Sequence, residues 1–276
     1  MKPKKSIRIA IIGAGPAGLS AAETLKDRGY KNVTVFEKSD HAGGKCCSIE
    51  YQGKWYELGA AILSENNTVA LGYAKKYRVP TELVDFKTPS LVLNEKTGLP
   101  VYEHTWKQNI ALLFQGWRYR KLIKKYHRVT LPGLARVDHE LTLPFSAWAK
   151  KYHLQLLAYE FGKYFTGFGY DFFDDVPAAY VLKYYSWETV RAFIQHAFYK
   201  FPEGIQHLWT EVAKHHHVLY QTNITNILRG TRGIELISNH GHMEYDALIL
   251  CAPLDEAAAS YLDARPEERA LFSKIQ

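Results

Sequence analysis

The sequence predicts an α/β chain. A parallel sheet covered on both faces is assembled from two separated stretches, with a mostly helical insertion between them. Three observations predict it. A short strand, a glycine-rich turn, a helix and a second strand follow one another over residues 7–37. Residues 105–200 then carry helical periodicity, broken at Pro and Gly. Strand-like runs return between Val218 and Cys251. Strands dense in Ile belong to sheets buried on both faces, and alternating strand and helix favours parallel pairing.

The first strand is expected over Ile7 to Ile12, a run rich in Ile. Gly13, Gly15 and Gly18 follow in G-x-G-x-x-G spacing. Gly13 permits the tight turn out of the strand, Gly15 leaves room for a pyrophosphate to approach the backbone, and Gly18 lets the helix pack closely on the sheet. The helix turns its unpaired N–H groups and positive dipole end toward the phosphates. Glu37 ends the second strand, nineteen residues after Gly18, where a carboxylate accepts hydrogen bonds from ribose hydroxyls. The expected ligand is therefore a dinucleotide.

A loop over Lys38 to Lys45 carries a second glycine pair, Gly43-Gly44, followed by a cation, Lys45. Such a loop suits the far side of an extended pyrophosphate, and it shifts the expected ligand from a nicotinamide dinucleotide to FAD. A hairpin is expected around Gln52-Gly53, closed by Glu57-Leu58-Gly59-Ala60, and a helix over Thr68 to Tyr77. A further hairpin is expected across Leu83 to Tyr102, turning at Asn94 to Gly98. Breaks at Pro132-Gly133, Pro144, Gly167-Phe168-Gly169 and Pro177 divide the helical middle. A helix follows within Pro202 to His215. Strands are then expected over Val218 to Leu228, Ile234 to Ser238 and Tyr245 to Cys251. The expected domains are residues 1–85 and 202–276 for the cofactor and 86–201 for the substrate.

Composition narrows the class. The chain has 276 residues, 47% of them hydrophobic, and no apolar run is long enough to span a bilayer. The basic start MKPKKS runs straight into the first strand, so no signal peptide is expected. Three cysteines without a C-x-x-C pattern argue against a disulfide framework or a structural zinc, and the expected location is the cytoplasm. The net charge of +7 attracts acidic ligands or anionic surfaces, but no nucleic-acid motif accompanies it. No metal-ligand spacing, paired carboxylates or Ser-His-Asp arrangement is seen, and His215-His216-His217 reads as a solvated helix end.

The run from Ile7 to Ala60 resembles the FAD-binding start of the flavin amine oxidase and phytoene desaturase superfamily. Gly204 to Ala213 and Asp246 to Pro253 resemble its later segments. Within the superfamily, HAGGKCCSIEYQGKWYELGA, LPFSAWA, FTGFGYDFFDDVPAAYVLKYYSWETV and LFSKI are similar to the FAD-dependent polyenoic fatty acid isomerases. The resemblance implies a Rossmann-like FAD-binding domain with an inserted helical substrate domain. It also implies an isomerase that shifts double bonds of a polyunsaturated fatty acid: flavin N5 takes a hydride from a carbon between two double bonds, and the hydride returns at another carbon. An amine oxidase, a desaturase and a non-catalytic flavin- or lipid-binding relative stand as alternatives.

The resemblance assigns cofactor contacts to Gly13, Gly15, Pro16, Ala17, Gly18, Glu37, Lys38, Gly44, Lys45, Cys46, Gly59, Ala60, Ala61 and Ile224, with no protein side chain named as catalytic. It places Phe165, Phe168, Tyr170 and Phe193 along the substrate and Lys87 at its carboxylate. Lys87 either stands one position off the family's basic residue or replaces an Arg there, and a lysine in that place makes a point contact, not a bidentate clamp. The aromatics around Phe165 also fit an ordinary helix-bundle core, Lys87 an ordinary surface lysine, and Cys46 and Cys47 small packing residues. Residues 106–129 interleave basic residues with Trp, Leu and Ile at near-helical spacing. They suit either transient contact with a membrane surface or a helix capping the substrate domain. The superfamily continues beyond a segment like LFSKIQ, so a C-terminally truncated relative is expected.

Overall fold

A computed structural model describes residues 4–84, 105–131, 133–134, 137–195, 197–231 and 233–275. Their elements run β1 (Ile9–Ile12), α1 (Pro16–Asp27), β2 (Val33–Phe36), β3 (Ser48–Tyr51), β4 (Lys54–Glu57), β5 (Leu63–Ser64), α2 (Thr68–Lys76) and β6 (Glu82–Leu83). After them come α3 (Trp106–Lys125), α4 (Phe145–Lys151), α5 (Gln155–Phe165), α6 (Ala178–Tyr184), α7 (Trp187–Gln195), β7 (Phe198–Lys200) and α8 (Ile205–Ala213). The chain closes with β8 (Val218–Leu219), β9 (Ile224–Gly230), β10 (Gly233–Ser238), β11 (Gly241–Tyr245), β12 (Ala247–Leu250), α9 (Leu254–Ser260) and α10 (Pro266–Phe272). Two compact units result: Met1–Leu63, Asn67–Leu83 and Tyr199–Gln276 form one, Ser64–Asn66 and Val84–Phe198 the other.

In the first unit, β12, β1, β2 and β8 form a parallel sheet in that order. Ile9 lies opposite both Ala247 and Val33, and Ile12 opposite both Leu250 and Phe36. Side chains alternate along β1. Ile11 packs with Leu19 of α1 and with Leu208 and Val212 of α8. Ala10 and Ile12 pack on the other face with Ile227, Leu236 and Ala257. Both faces are covered, which is why this strand has no polar position. The second layer is an antiparallel meander, β9-β10-β11.

Two expected strands prove to be pairs. Within Val218 to Leu228, β8 belongs to the parallel sheet and β9 to the meander. Between them Thr222 donates its backbone N–H to the carbonyl of Glu37 at 2.9 Å. Within Tyr245 to Cys251, the chain changes sheet at Asp246, whose carboxylate accepts the Arg8 backbone N–H at 2.7 Å. The hairpin of β3 and β4 forms around Gln52-Gly53, with Ser48 opposite Glu57. Most of the hairpin expected over Leu83 to Tyr102 lies outside the described residues.

The second unit is helical. Trp148, Tyr119, Tyr185 and Phe145 are fully buried at its centre. Tyr119 donates its hydroxyl to the carbonyl of Tyr185 at 2.8 Å, and Tyr185 donates to that of Phe161 at 2.7 Å, so the buried phenols carry partners. Glu140 accepts from the hydroxyls of Tyr126 and Tyr152 and pairs with Lys151 at 2.6 Å.

Candidate functional site: a glycine-lined strip

At the end of β1 the chain turns through Gly13, whose φ of +102° favours glycine. A Cβ on Gly18 would run into the carbonyl oxygen of Gly13, so the helix packs as closely as the spacing predicts. Gly15 differs. Its φ is −77°, and the nearest atom to a Cβ there is Gly44 Cα at 3.7 Å. It is half-buried at the start of α1, where a Cβ would make only ordinary contact with the second glycine pair and the first N–H groups have no partner within the helix. Pro16 opens that helix and Ala17 is exposed beside it.

The second glycine pair lies against the first motif. Gly43 donates its N–H to the carbonyl of Ala14 at 3.1 Å, and a Cβ on Gly44 would stand 3.1 Å from Gly15 Cα. The third segment lies alongside in turn. Ala60 donates to the carbonyl of Lys45 at 3.4 Å and Leu58 to that of Cys47 at 2.8 Å, and a side chain on Gly59 would collide with Lys45. Three backbone segments thus form one strip, with Ala17, Gly44, Lys45, Gly59 and Ala60 exposed along it and Ala61 half-buried at its end.

Glu37 is buried at the edge of this strip. One carboxylate oxygen accepts the Ala14 N–H at 2.7 Å and the other the Ser39 N–H at 2.9 Å. Each oxygen keeps a lone pair for a further donor, as a ribose diol requires. Ile224 is buried at the start of β9, two residues after the Thr222 contact with Glu37. Lys38 pairs at the surface with Glu256 of α9 at 3.5 Å. Cys46 is buried, and burial pushes its thiol up. A raised thiol is a packing group, not a ready nucleophile.

Behind the strip stands a clasp that the sequence reading missed. Glu57 accepts the Ile205 N–H at 2.8 Å and the Ser48 hydroxyl at 2.5 Å. Gln206 accepts the Ser48 N–H at 2.9 Å and donates to the carbonyl of Ala42 at 3.2 Å. A carboxylate so caps the first turn of α8 and ties it to the hairpin and to the glycine loop. Gly204, at φ +79°, is the local signal for that junction, since a Cβ there would strike Ser48.

In the helical unit, Phe165 is buried and touches the rings of Tyr170 at 5.3 Å, Phe173 at 5.2 Å and Tyr184 at 5.5 Å. Phe193 is half-buried against Tyr164 at 4.7 Å and Phe198 at 4.6 Å, and reaches Tyr185 at 5.9 Å. Phe168 is 45% exposed and Tyr170 50%, so these two sit at the margin of the cluster. Lys87 lies outside the described residues. His216 departs from the expected solvated helix end: its side chain is buried and meets Glu23 at 2.7 Å. Among the described residues, no group of His, Cys, Asp and Glu could hold a metal ion.

Comparison with known proteins shows what the chain is similar to. A CLA-producing fatty acid isomerase from P. acnes superposes with a TM-score of 0.89 at 31% identity, covering 99% of this chain and 65% of that one. A putrescine oxidase variant shares the fold, with a TM-score of 0.75 at 16% identity, over 98% of this chain and 64% of that one. A polyenoic fatty acid isomerase from Ptilota filicina is 41% identical over 56 residues, which are 20% of this chain and 11% of that protein. The chain therefore spans less than two thirds of the length of these relatives. The model of the flavin-containing amine oxidoreductases matches residues 16–276. That match covers nearly the whole chain, and the exposed glycine strip with its buried carboxylate is compatible with a dinucleotide such as FAD; the chain belongs to the flavin-containing amine oxidoreductase family.

Proposed function

We propose that this chain carries the FAD site and the aromatic helical unit of an isomerase that shifts double bonds in a polyunsaturated fatty acid. The observation that carries the reading is its likeness to the P. acnes isomerase through both units, at 31% identity, against 16% for the putrescine oxidase.

The residues divide the work. Glu37 accepts the ribose hydroxyls. The first turn of α1, with Gly15 and Gly44 facing it, receives the pyrophosphate without a side chain in the way. Gly59, Ala60 and Ala61 border the ring, and Lys45 offers a cation beside the phosphates. FAD, when bound, would supply the redox chemistry, taking up a hydride from the carbon between two double bonds and giving it back at another, so that no outside oxidant would be consumed. The ring faces of Phe165, Tyr170 and Phe193 keep water from the hydrocarbon and favour a delocalised cation. Lys87 meets the fatty acid carboxylate.

Purified chain is first tested for a flavin spectrum, which separates cofactor binding from turnover. Anaerobic incubation with linoleic acid then reads the reaction. A conjugated-diene absorbance without oxygen uptake is the expected result. Hydrogen peroxide released from an amine, with no diene formed, overturns it.

A further inference from the structure

Leu112 and Gln115 of the N-terminal half of α3 meet the core of its unit, but one face of this half turns away from it. Tyr119, Leu122 and Ile123 anchor the C-terminal half in that core. On the opposite face Trp106, Ile110, Leu113, Phe114 and Trp117 are exposed by 68%, 45%, 75%, 66% and 59%. Their i, i+4, i+7, i+8, i+11 spacing makes one continuous stripe. Scattered apolar residues on a surface are ordinary, whereas five large ones in line on a single helix mark a binding face.

The charges on the helix say what covers it. Between Trp106 and Lys125 there is no acidic residue, and there are six basic ones. The stripe continues beyond Trp117 into exposed Lys121 and Lys124, one turn and two turns further on. Lys121 Nζ lies 3.4 Å from the centre of the Trp117 ring and Lys107 Nζ 5.6 Å from that of Trp106, so each tryptophan is paired with a cation. Trp and Lys side by side at a helix surface suit the polar boundary of a bilayer, where the indole sits at the headgroups and the ammonium meets lipid phosphate. A second copy of the same face would bring no acid to these lysines. Among the described residues no helix is long and apolar enough to cross a membrane, so the helix would lie in the surface.

We propose that the outer face of α3 docks on an anionic lipid bilayer, with Trp106, Leu113, Phe114 and Trp117 entering the headgroup boundary and Lys121 and Lys124 on lipid phosphates. The surface goes beyond the reaction proposed above and stands whether or not that reaction holds.

The test is co-sedimentation of the full chain with phosphatidylcholine vesicles, with and without phosphatidylglycerol. Two double variants are compared, Leu113→Gln/Trp117→Gln and Lys121→Glu/Lys124→Glu, with far-ultraviolet circular dichroism checking that each stays folded. All four side chains are exposed, so folding is expected to survive. The chain should bind the anionic vesicles, more weakly as salt rises. The apolar variant should lower partitioning about tenfold or more, since burying one large apolar side chain is worth roughly that factor. The charge variant should lose the preference for phosphatidylglycerol. Failure of the folded parent to bind anionic vesicles overturns the proposal, as does equal binding by parent and apolar variant. A dimer of the parent that the apolar variant turns into a monomer also overturns it, because the face then belongs to a second copy.

Discussion

Gly15 and Gly18 sit three residues apart in one turn and should fail differently on substitution. At Gly15 the backbone is ordinary for any residue and a Cβ meets nothing closer than 3.7 Å. We predict that Gly15→Ala leaves the urea midpoint unchanged and weakens FAD binding about tenfold or more, read by flavin fluorescence titration, because the new methyl occupies the approach to the pyrophosphate. At Gly18 the Cβ collides with the carbonyl of Gly13. Gly18→Ala should cost about 1–3 kcal/mol of stability by forcing the helix off the strand. The tight turn at Gly13 and the close helix packing at Gly18 were legible in the sequence, since both tasks follow from a place between strand and helix. It could not assign His216. That side chain answers a carboxylate 193 positions away, and no local pattern reveals a partner at such a distance.

Elements are bound together by groups that read as unremarkable in sequence. Glu57 ends β4, and its carboxylate caps α8 through Ile205 while holding the Ser48 hydroxyl. Glu57→Ala should lower stability by about 1 kcal/mol, the usual value of a lost helix cap. It should also speed FAD dissociation, because the same hairpin leads into Gly59. Glu57→Gln keeps an acceptor for the Ile205 N–H and should recover part of both losses; urea denaturation and stopped-flow flavin release check the pair. The first strand–helix–strand unit was legible because its periodicity and its glycines agree. The late strands were less so. Tyr220 to Asn223 and Asp246 each fit inside a strand pattern, and only pairing with two different sheets divides the runs.

At the scale of the whole molecule, α1, α2 and the segment after α8 meet at one buried carboxylate. Glu23 binds Lys76, Tyr77 and His216. Burial raises the Glu23 carboxyl, and the hydrogen bonds from Lys76, Tyr77 and His216 outweigh it, lowering it from 4.5 to about 2. Burial lowers His216 below 6.5, against the pull of Glu23. Both groups have depressed values in the folded state, so the unfolded chain takes up their protons first on acidification. Their contribution to stability is present above pH 6.5, begins to fall as His216 becomes protonated in the unfolded chain, and falls again between pH 4.5 and about 2 as Glu23 does. Urea midpoints measured across that range should drop in both windows, and Glu23→Gln should flatten the lower one while reducing the plateau. The α/β class and the helical insertion were visible at this scale because each has its own period. The joining of two helices and the segment after α8 at one residue has no signature in the sequence.

The pairing of β1 has one more consequence. Its neighbour β2 is close in sequence, but its other neighbour, β12, begins at Ala247. Glu37 likewise waits for Thr222. During synthesis the fingerprint turn emerges early and then remains half-built, with one strand edge bare, while the helical unit is translated and gathers its mostly local contacts. The glycine turn is therefore completed only after the helical unit has been translated, and until residue 250 has emerged the bare edge of β1 is open to pairing with another chain.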